Sequence, residues 1–562
     1  MENISIKNSF NEMFFCLFIG LSFLYGILSY QHYSPSFHDF YIHTIVFALC
    51  SIGLCFFYMK KNIKIYLNNF LWFILAIIFI VQPVLNKIIY VDGLIFPLAV
   101  TFLTFFLSVA ISNMVDKDGI TKIIAFILIC GSVLLLFTQI SHILNIEFIV
   151  KAMQIPLQLG RFSGNLFQPN QTAFVFILGV ISLMYFCNNK NNILKYILIF
   201  ILSVGVAFTV SRSGFLMLLL CSFVFNLLLN YFNKISLLKL KDFFICLVGF
   251  LFGVLIYPNF SSGTILERVI GGDNARISLL HQSWLIIFEH PITGVGWKNF
   301  AGSGLAYFEK IELFNSADHS HFFFTQLWSE FGILGLLVVF LFFYIFIKNS
   351  KILNVRESYV FVVLSIFIIY SCFEFPLWQL RFLIIFSIFL SLYDRTRKIF
   401  YIINRGYYVS IILIGFVCLS LYYSYKYSEV ARVYDFVVNK NNNLADKVKK
   451  LDEINSIFGF GFFDDILIYE VVSEGDFNLK VKIDIGNRLV HYLPSYPYLV
   501  RHGTSLALSG DEKDATYYFE AACRYSYGSH CEEVKKYLQV LSDQNPDYFK
   551  NIYNIVEKKY NK

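Results

Sequence analysis

Two histidines stand two residues apart in NSADHSHFFFTQLWSEFG, residues 315–332, where a polar segment runs into an apolar one. An imidazole changes charge near neutral pH and can take a proton from a hydroxyl. The i, i+2 spacing suits no metal pair on a helix, which wants i and i+4. His319 and His321 are expected to point to opposite sides of the loop, so that one faces a cavity while the other packs. Gln326 and Glu330 follow where the segment enters the apolar run.

Three further clusters carry arginine. LGRFSGNLFQPNQTA (159–173) holds Arg161, Gln168 and Asn170, with Pro169 as a helix start and Asn170 able to cap it. AFTVSRSGFL (207–216) sets Arg212 between two serines, and NARISLLHQSWLIIFEHPITGVGWKNF (274–300) opens with Arg276 on an amphipathic helix. His281 and His290 in that helix read as surface residues. Taken singly, each arginine fits a capped loop or a side chain snorkelling to lipid headgroups. A guanidinium deep in a bilayer costs about 2.5–3.5 kcal/mol on insertion scales and needs a reason. Several forks presented together suit phosphate oxygens, which they bind bidentately. One such pair at about 4 Å gains roughly 4 kcal/mol at an effective dielectric of 20. Arginines plus a neutral-range base point to a lipid-linked pyrophosphate, and to transfer of what it carries onto a hydroxyl.

The rest of the chain must hold these clusters at one membrane face. Of 562 residues, 57% are hydrophobic and 15% charged, against about 25% charged in a soluble domain. About thirteen apolar runs have bilayer-spanning character, near 12–30, 41–59, 65–83, 94–113, 123–141, 171–187, 194–210, 213–232, 242–257, 328–347, 357–373, 380–393 and 407–425. The expected fold is an all-α polytopic membrane protein, because in lipid each segment must satisfy its own backbone. The first run has no cleavage site and is an uncleaved helix. The net charge of +7 sits in short loops, at Lys60–Lys64, Lys117–Lys122, Lys190–Lys195, Lys234–Lys241, Lys348–Lys351 and Arg395–Lys398. It sets topology and does not indicate nucleic acid. If those loops are cytoplasmic, segments 142–170, 258–327 and 426–562 face outward. The division is N-terminal helices over 1–150, a membrane core over 151–425 with its long loop near 258–327, and a soluble helical region over 426–562. Within the last, 498–541 reads as helix, turn, helix, turn, helix, as in tetratricopeptide hairpins. Nine of eleven cysteines lie in or beside apolar runs as small hydrophobes. Cys523 and Cys531 are either a bridge in an oxidising compartment or two buried thiols.

The pieces GRFSGNLFQPNQTA, SRSG, NARISLLHQSW…EHPITGVGWKNF, HSHFFFTQLWSEFGILG and EFPLWQLRF, in this order over about 160–385, resemble the bacterial O-antigen ligase superfamily. The closest branch is similar to the PglL-type protein O-oligosaccharyltransferases that glycosylate pilins. The resemblance implies a GT-C-like fold in the inner membrane, with the site and the C-terminal region in the periplasm. It implies an undecaprenyl-pyrophosphate glycan as donor, Ser or Thr of a periplasmic protein as acceptor, and inversion at the anomeric carbon without metal or cofactor. Carried over by motif, His321 is the general base, followed by Glu330 and Gly332 at the family's spacing. Arg212 and Arg276 bind pyrophosphate with Arg161 beside them; Gln168 and Asn170 of the QPN element, His319 as a support, and Glu330 are further candidates for substrate contact. Phe322 stands where the family usually has Asn, and Gln379 where it often has Tyr. The competing readings are an O-antigen ligase acting on lipid A-core, a glycan polymerase, a transporter of lipid-linked glycan, and a lipid-binding scaffold. The large C-terminal region favours a protein acceptor.

Overall fold

The computed structural model describes residues 9–35, 39–60, 62–85, 88–155, 160–188, 192–220, 224–225, 240–261, 274–395, 398–473 and 478–560. Among these, eight helices are long and apolar enough to cross a bilayer: Phe10–Leu28, Phe40–Tyr58, Leu67–Leu85, Val91–Ser112, Lys117–Ile143, Pro169–Phe186, Lys241–Asn259 and Tyr407–Val437. Ile193–Phe208, Ile333–Lys348 and Leu380–Tyr393 are shorter apolar helices. The expected run 213–232 is described as helix over Arg212–Leu219; most of its remainder lies outside the described residues, as do 234–239 of a basic loop and 262–273 of the long loop.

Two departures from the expected pattern matter. The run at 328–347 is not one helix. A helix Phe323–Phe331 ends at Gly332, and a second helix, Ile333–Lys348, starts there. Apolar residues on both sides of the break hide it from hydropathy. The fold is also not purely helical, because Ile63–Tyr66 pairs antiparallel with Ile399–Ile403. These strands lie in or beside two of the basic loops, where the chain is no longer held to helix by lipid.

The chain divides into two compact units. The first comprises residues 1–74, 99–272 and 341–427. Among the described residues, two of its buried cations face carboxylates, as a low-dielectric setting favours. Lys195 Nζ lies 2.8 Å from Asp242 Oδ1, both side chains about 1% exposed, joining the helices Ile193–Phe208 and Leu240–Ile256. Arg381, from the EFPLWQLRF motif, is buried. It donates to the carbonyl of Gly26 (2.6 Å) and to Gln171 Oε1 (2.9 Å), and it faces Asp39 Oδ2 at 3.5 Å. His32 Nδ1 meets the other oxygen of Asp39 at 2.6 Å. Burial alone would raise the Asp39 carboxyl, but the His32 hydrogen bond and the Arg381 guanidinium outweigh it and hold it well below the usual carboxylate range.

The second unit comprises residues 75–98, 273–340 and 428–562. The long loop and the C-terminal region, which look like two regions in sequence, share one apolar core here. Leu279, Ile286, Phe300, Tyr307 and Phe314 pack in it with Tyr469, Leu489, Leu499, Phe519 and Leu538. The C-terminal helices include Gly461–Val472, Leu479–Tyr492, Tyr496–Leu508, Glu512–Gly528, Cys531–Gln544 and Pro546–Tyr560. Cys523 and Cys531 form a disulfide. A short turn, Val91–Leu94, docks on the same region: Asp92 Oδ2 accepts the amides of Gly459 and Gly461, each at 2.9 Å. Tyr90 donates to Asp465 Oδ2 (2.7 Å), a carboxylate that Arg488 also holds through two bonds of 2.7 Å.

Candidate active site

In the second unit, the histidine segment enters the helix Phe323–Phe331 through backbone that does not alternate. His321 adopts φ +57°, a left-handed conformation that few non-glycine residues take up without a reason. The expectation that the two imidazoles face opposite ways fails, since residues two apart in extended backbone share a face. Their ring centroids lie 4.4 Å apart.

A charged chain backs the pair. Asp318 Oδ1 lies 2.7 Å from His319 Nδ1, and its other oxygen pairs with the ammonium of Lys298. With Nδ1–H given to the carboxylate, His319 keeps Nε2 as its basic nitrogen. Burial would lower the Lys298 ammonium, but Asp318 together with Tyr492 and Glu330 outweighs it and the net shift is upward. Gln326 fixes the segment from the following helix. Its Oε1 accepts the amide of Ser320 at 2.6 Å, and its Nε2 donates to the carbonyl of Asp318 at 3.3 Å.

Lys298 is itself held by the turn that precedes it. The amides of Val295, Gly296 and Ile333 donate to the carbonyls of Ser329, Glu330 and Ile292 at 2.8–3.0 Å, lacing the HPITGVG turn to the end of the helix. The approach is so close that a Cβ on Gly332, at φ +60°, would lie 2.0 Å from the Ile292 oxygen. That contact is the physical reason for the break at Gly332. Glu330 is 1% exposed, and its Oε1 accepts the Lys298 amide at 3.0 Å. Burial pushes its carboxyl up to about 8 despite the neighbouring ammonium. Glu330, a sequence candidate for substrate contact, is thus a buried brace of the turn. Arg276 is half-buried on the helix Asn274–Glu289, and the amide of Leu313 donates to Ser278 Oγ on that helix at 2.8 Å. His281 and His290 are exposed.

The first unit assembles a different set. Pro169 opens the helix Pro169–Phe186, so the capping position falls to Gln168, whose Oε1 accepts the Gln171 amide at 3.0 Å. Asn170 does not cap, because it lies inside the first turn. Its side chain bridges two charges instead, accepting from Arg161 Nη2 (2.9 Å) and donating to Glu374 Oε1 (2.5 Å). Gln168 Nε2 reaches the other Glu374 oxygen at 3.4 Å, and Arg161 Nε donates to the Thr209 carbonyl at 3.2 Å. Arg212 is the exposed first residue of the helix Arg212–Leu219, capped by Ser211 Oγ on the Gly214 amide. A guanidinium beside the free amides of a helix start is well placed for an anion.

Sequence reasoning passed over Asp318, Lys298 and Glu374. Asp318 sits beside His319, and asking which carboxylate fixes that imidazole would have found it. Nothing local marks Lys298 or Glu374, whose partners lie 20 and more than 200 residues away.

The family model for the O-antigen ligases matches residues 197–340, which hold Arg212, Arg276, His319, His321 and Glu330. Over that stretch the chain is similar to the O-antigen ligases. A second family model, for the C-terminal part of a virulence factor membrane-bound polymerase, matches residues 358–539, a stretch that includes Glu374 and Arg381. The ComP-specific O-oligosaccharyltransferase of Acinetobacter baylyi is 27% identical over 355 residues, covering 59% of this chain and 62% of that protein. The chain thus aligns with less than two thirds of that relative's length.

Proposed function

We propose that this chain is an inverting glycosyltransferase that moves an oligosaccharide from undecaprenyl pyrophosphate to a Ser or Thr hydroxyl of a periplasmic protein. The observation that carries the reading is the paired imidazoles backed by Asp318 and Lys298, inside the segment that matches the ligase family. His321 takes the hydroxyl proton. The hydroxyl oxygen then forms a bond to the anomeric carbon as the bond from that carbon to the pyrophosphate oxygen breaks, and undecaprenyl pyrophosphate leaves with the electron pair. His319, held by Asp318, packs against the base and fixes its orientation. Arg212, Arg276 and Arg161 are assigned to the diphosphate, whose charge grows as the bond breaks; stabilisation of this kind is commonly the largest catalytic term. Gln168 and Asn170, tied to Glu374, keep Arg161 in place. The named relative is an O-oligosaccharyltransferase specific for ComP, which favours a protein acceptor here. The site lies on the periplasmic face of the inner membrane in this reading, in agreement with a disulfide at Cys523–Cys531.

The match of 358–539 to a membrane-bound polymerase supports a second reading, in which the acceptor hydroxyl belongs to another glycan chain. Purified protein, a lipid-linked glycan and three acceptors (a pilin-like protein, lipid A-core, a second lipid-linked glycan) separate these readings by product mass. Protein product is expected, with His321→Ala lowering the rate about 100-fold or more, the order of a lost general base. Glycan growth on lipid alone would replace the first reading with the second. Full transfer by His321→Ala would remove the proposed base.

A further inference from the structure

The histidine segment is fastened at its leading end by the C-terminal helices. The helix Glu512–Gly528 is interrupted near its end: Tyr525 is extended, and Ser526 and Tyr527 turn to φ +50° and +61°. The interruption forms a parallel bridge between Tyr525 and Phe314. The Ser526 amide donates to the Phe314 carbonyl at 2.8 Å, the Tyr525 hydroxyl meets Ser316 Oγ at 3.0 Å, and Arg524 Nη2 reaches the Ile311 carbonyl at 3.2 Å. Phe314 is fully buried, edge-on to the Tyr525 ring. Cys523 and Cys531, one on each side of the interruption, close it into a loop by their disulfide. Asp318, His319 and His321 follow within a few residues of Ser316. At its trailing end the segment is held by Gln326 and Lys298.

We infer that the disulfide-closed kink at Cys523–Cys531 positions the histidine pair for transfer, with Tyr525 and Ser526 as positioning residues acting through Phe314 and Ser316. The inference rests on the reading of His321 as base. It gives the C-terminal helices a part in the rate of the chemical step, besides any part in recognising the acceptor. Two left-handed residues in succession are strained, and a short covalent loop limits the ways in which the kink can relax. Without the disulfide Phe314 and Ser316 lose the partners that the kink presents, and the imidazoles lose one of the two ends that fix them.

The test uses full-length protein in nanodiscs. Hydrogen–deuterium exchange of peptides covering 311–322 is compared between wild type and Cys523→Ser/Cys531→Ser, beside transfer kinetics with a lipid-linked donor and a protein acceptor. Expected are at least tenfold faster exchange in 311–322, a fall in kcat of about tenfold, and unchanged KM for donor and acceptor. Unchanged exchange overturns the inference, as does faster exchange with unchanged kcat, or an effect confined to acceptor KM. If the helices of the C-terminal region also lose protection, Ser316→Ala and Tyr525→Phe decide in a double-mutant cycle. Non-additive losses in kcat uphold the coupling, and additive ones overturn it. Exchange reports the mechanical link even if His321→Ala proves active, so failure of the base assignment is told apart from failure of the kink.

Discussion

Asp318 is where geometry and chemistry meet most directly, since one carboxylate joins the Lys298 ammonium to a ring nitrogen of His319. Outer partners of this kind fix tautomer and orientation, and losing one commonly reduces activity 10–100-fold. Asp318→Asn is expected to lower kcat by about that factor with donor KM unchanged, and Asp318→Glu to recover part of it; steady-state transfer with a fluorescent donor lipid reads both. Glu330 gives a pH prediction. Its carboxyl is raised from an ordinary 4.5 to about 8, so the folded protein keeps a proton that the unfolded chain releases. Stability then falls as pH rises from about 4.5 to about 8. Glu330→Gln preserves an acceptor for the Lys298 amide and should flatten that slope, measured as the melting temperature of detergent-solubilised protein across the range. An equally steep slope in the variant would assign it to other groups. The histidines and arginines were visible in the sequence because their types alone suggest chemistry. That the two imidazoles lie together follows from a two-residue spacing in extended backbone, whereas the left-handed turn at His321 leaves no mark in the sequence.

At the scale of elements, apolar runs predicted most of the helices, because lipid leaves a spanning segment few other choices. The same signal missed the break at Gly332, which comes from a backbone contact with Ile292 and leaves no mark in hydropathy. It also missed the strand pair beside the basic loops. The ion pair between Lys195 and Asp242 makes a testable case for how such helices are held. Lys195→Met alone strands a buried carboxylate and should destabilise by about 3–5 kcal/mol, whereas Lys195→Met with Asp242→Leu should recover most of the loss. Thermal denaturation of the two variants in one detergent compares them. Equal losses would mean that the pair itself, and not the stranded charge, supplies the stability.

At the scale of the molecule, the shared core of the second unit was the feature least legible in sequence. The amphipathic helix of the long loop and the helices after residue 428 each read as self-sufficient, and only the structure shows Phe300 and Phe314 packed among Leu489, Leu499 and Phe519. A chain ended after residue 440 is therefore expected to lose the fold of 274–322 as well, seen as rapid proteolysis of that segment in membranes while the spanning helices of the first unit stay protected. A stable 274–322 segment in that variant would show that the two regions fold apart.

The second unit draws on residues 75–98, 273–340 and 428–562, and this arrangement sets an order in time. A ribosome releases the turn around Asp92 early, the histidine segment much later, and the stretch from Gly459 to Cys531 later still. Contacts so distant along the chain close slowly. The nascent polypeptide therefore passes most of its synthesis with this unit open, and the proposed chemistry waits until the helices made late fold back onto a turn made early.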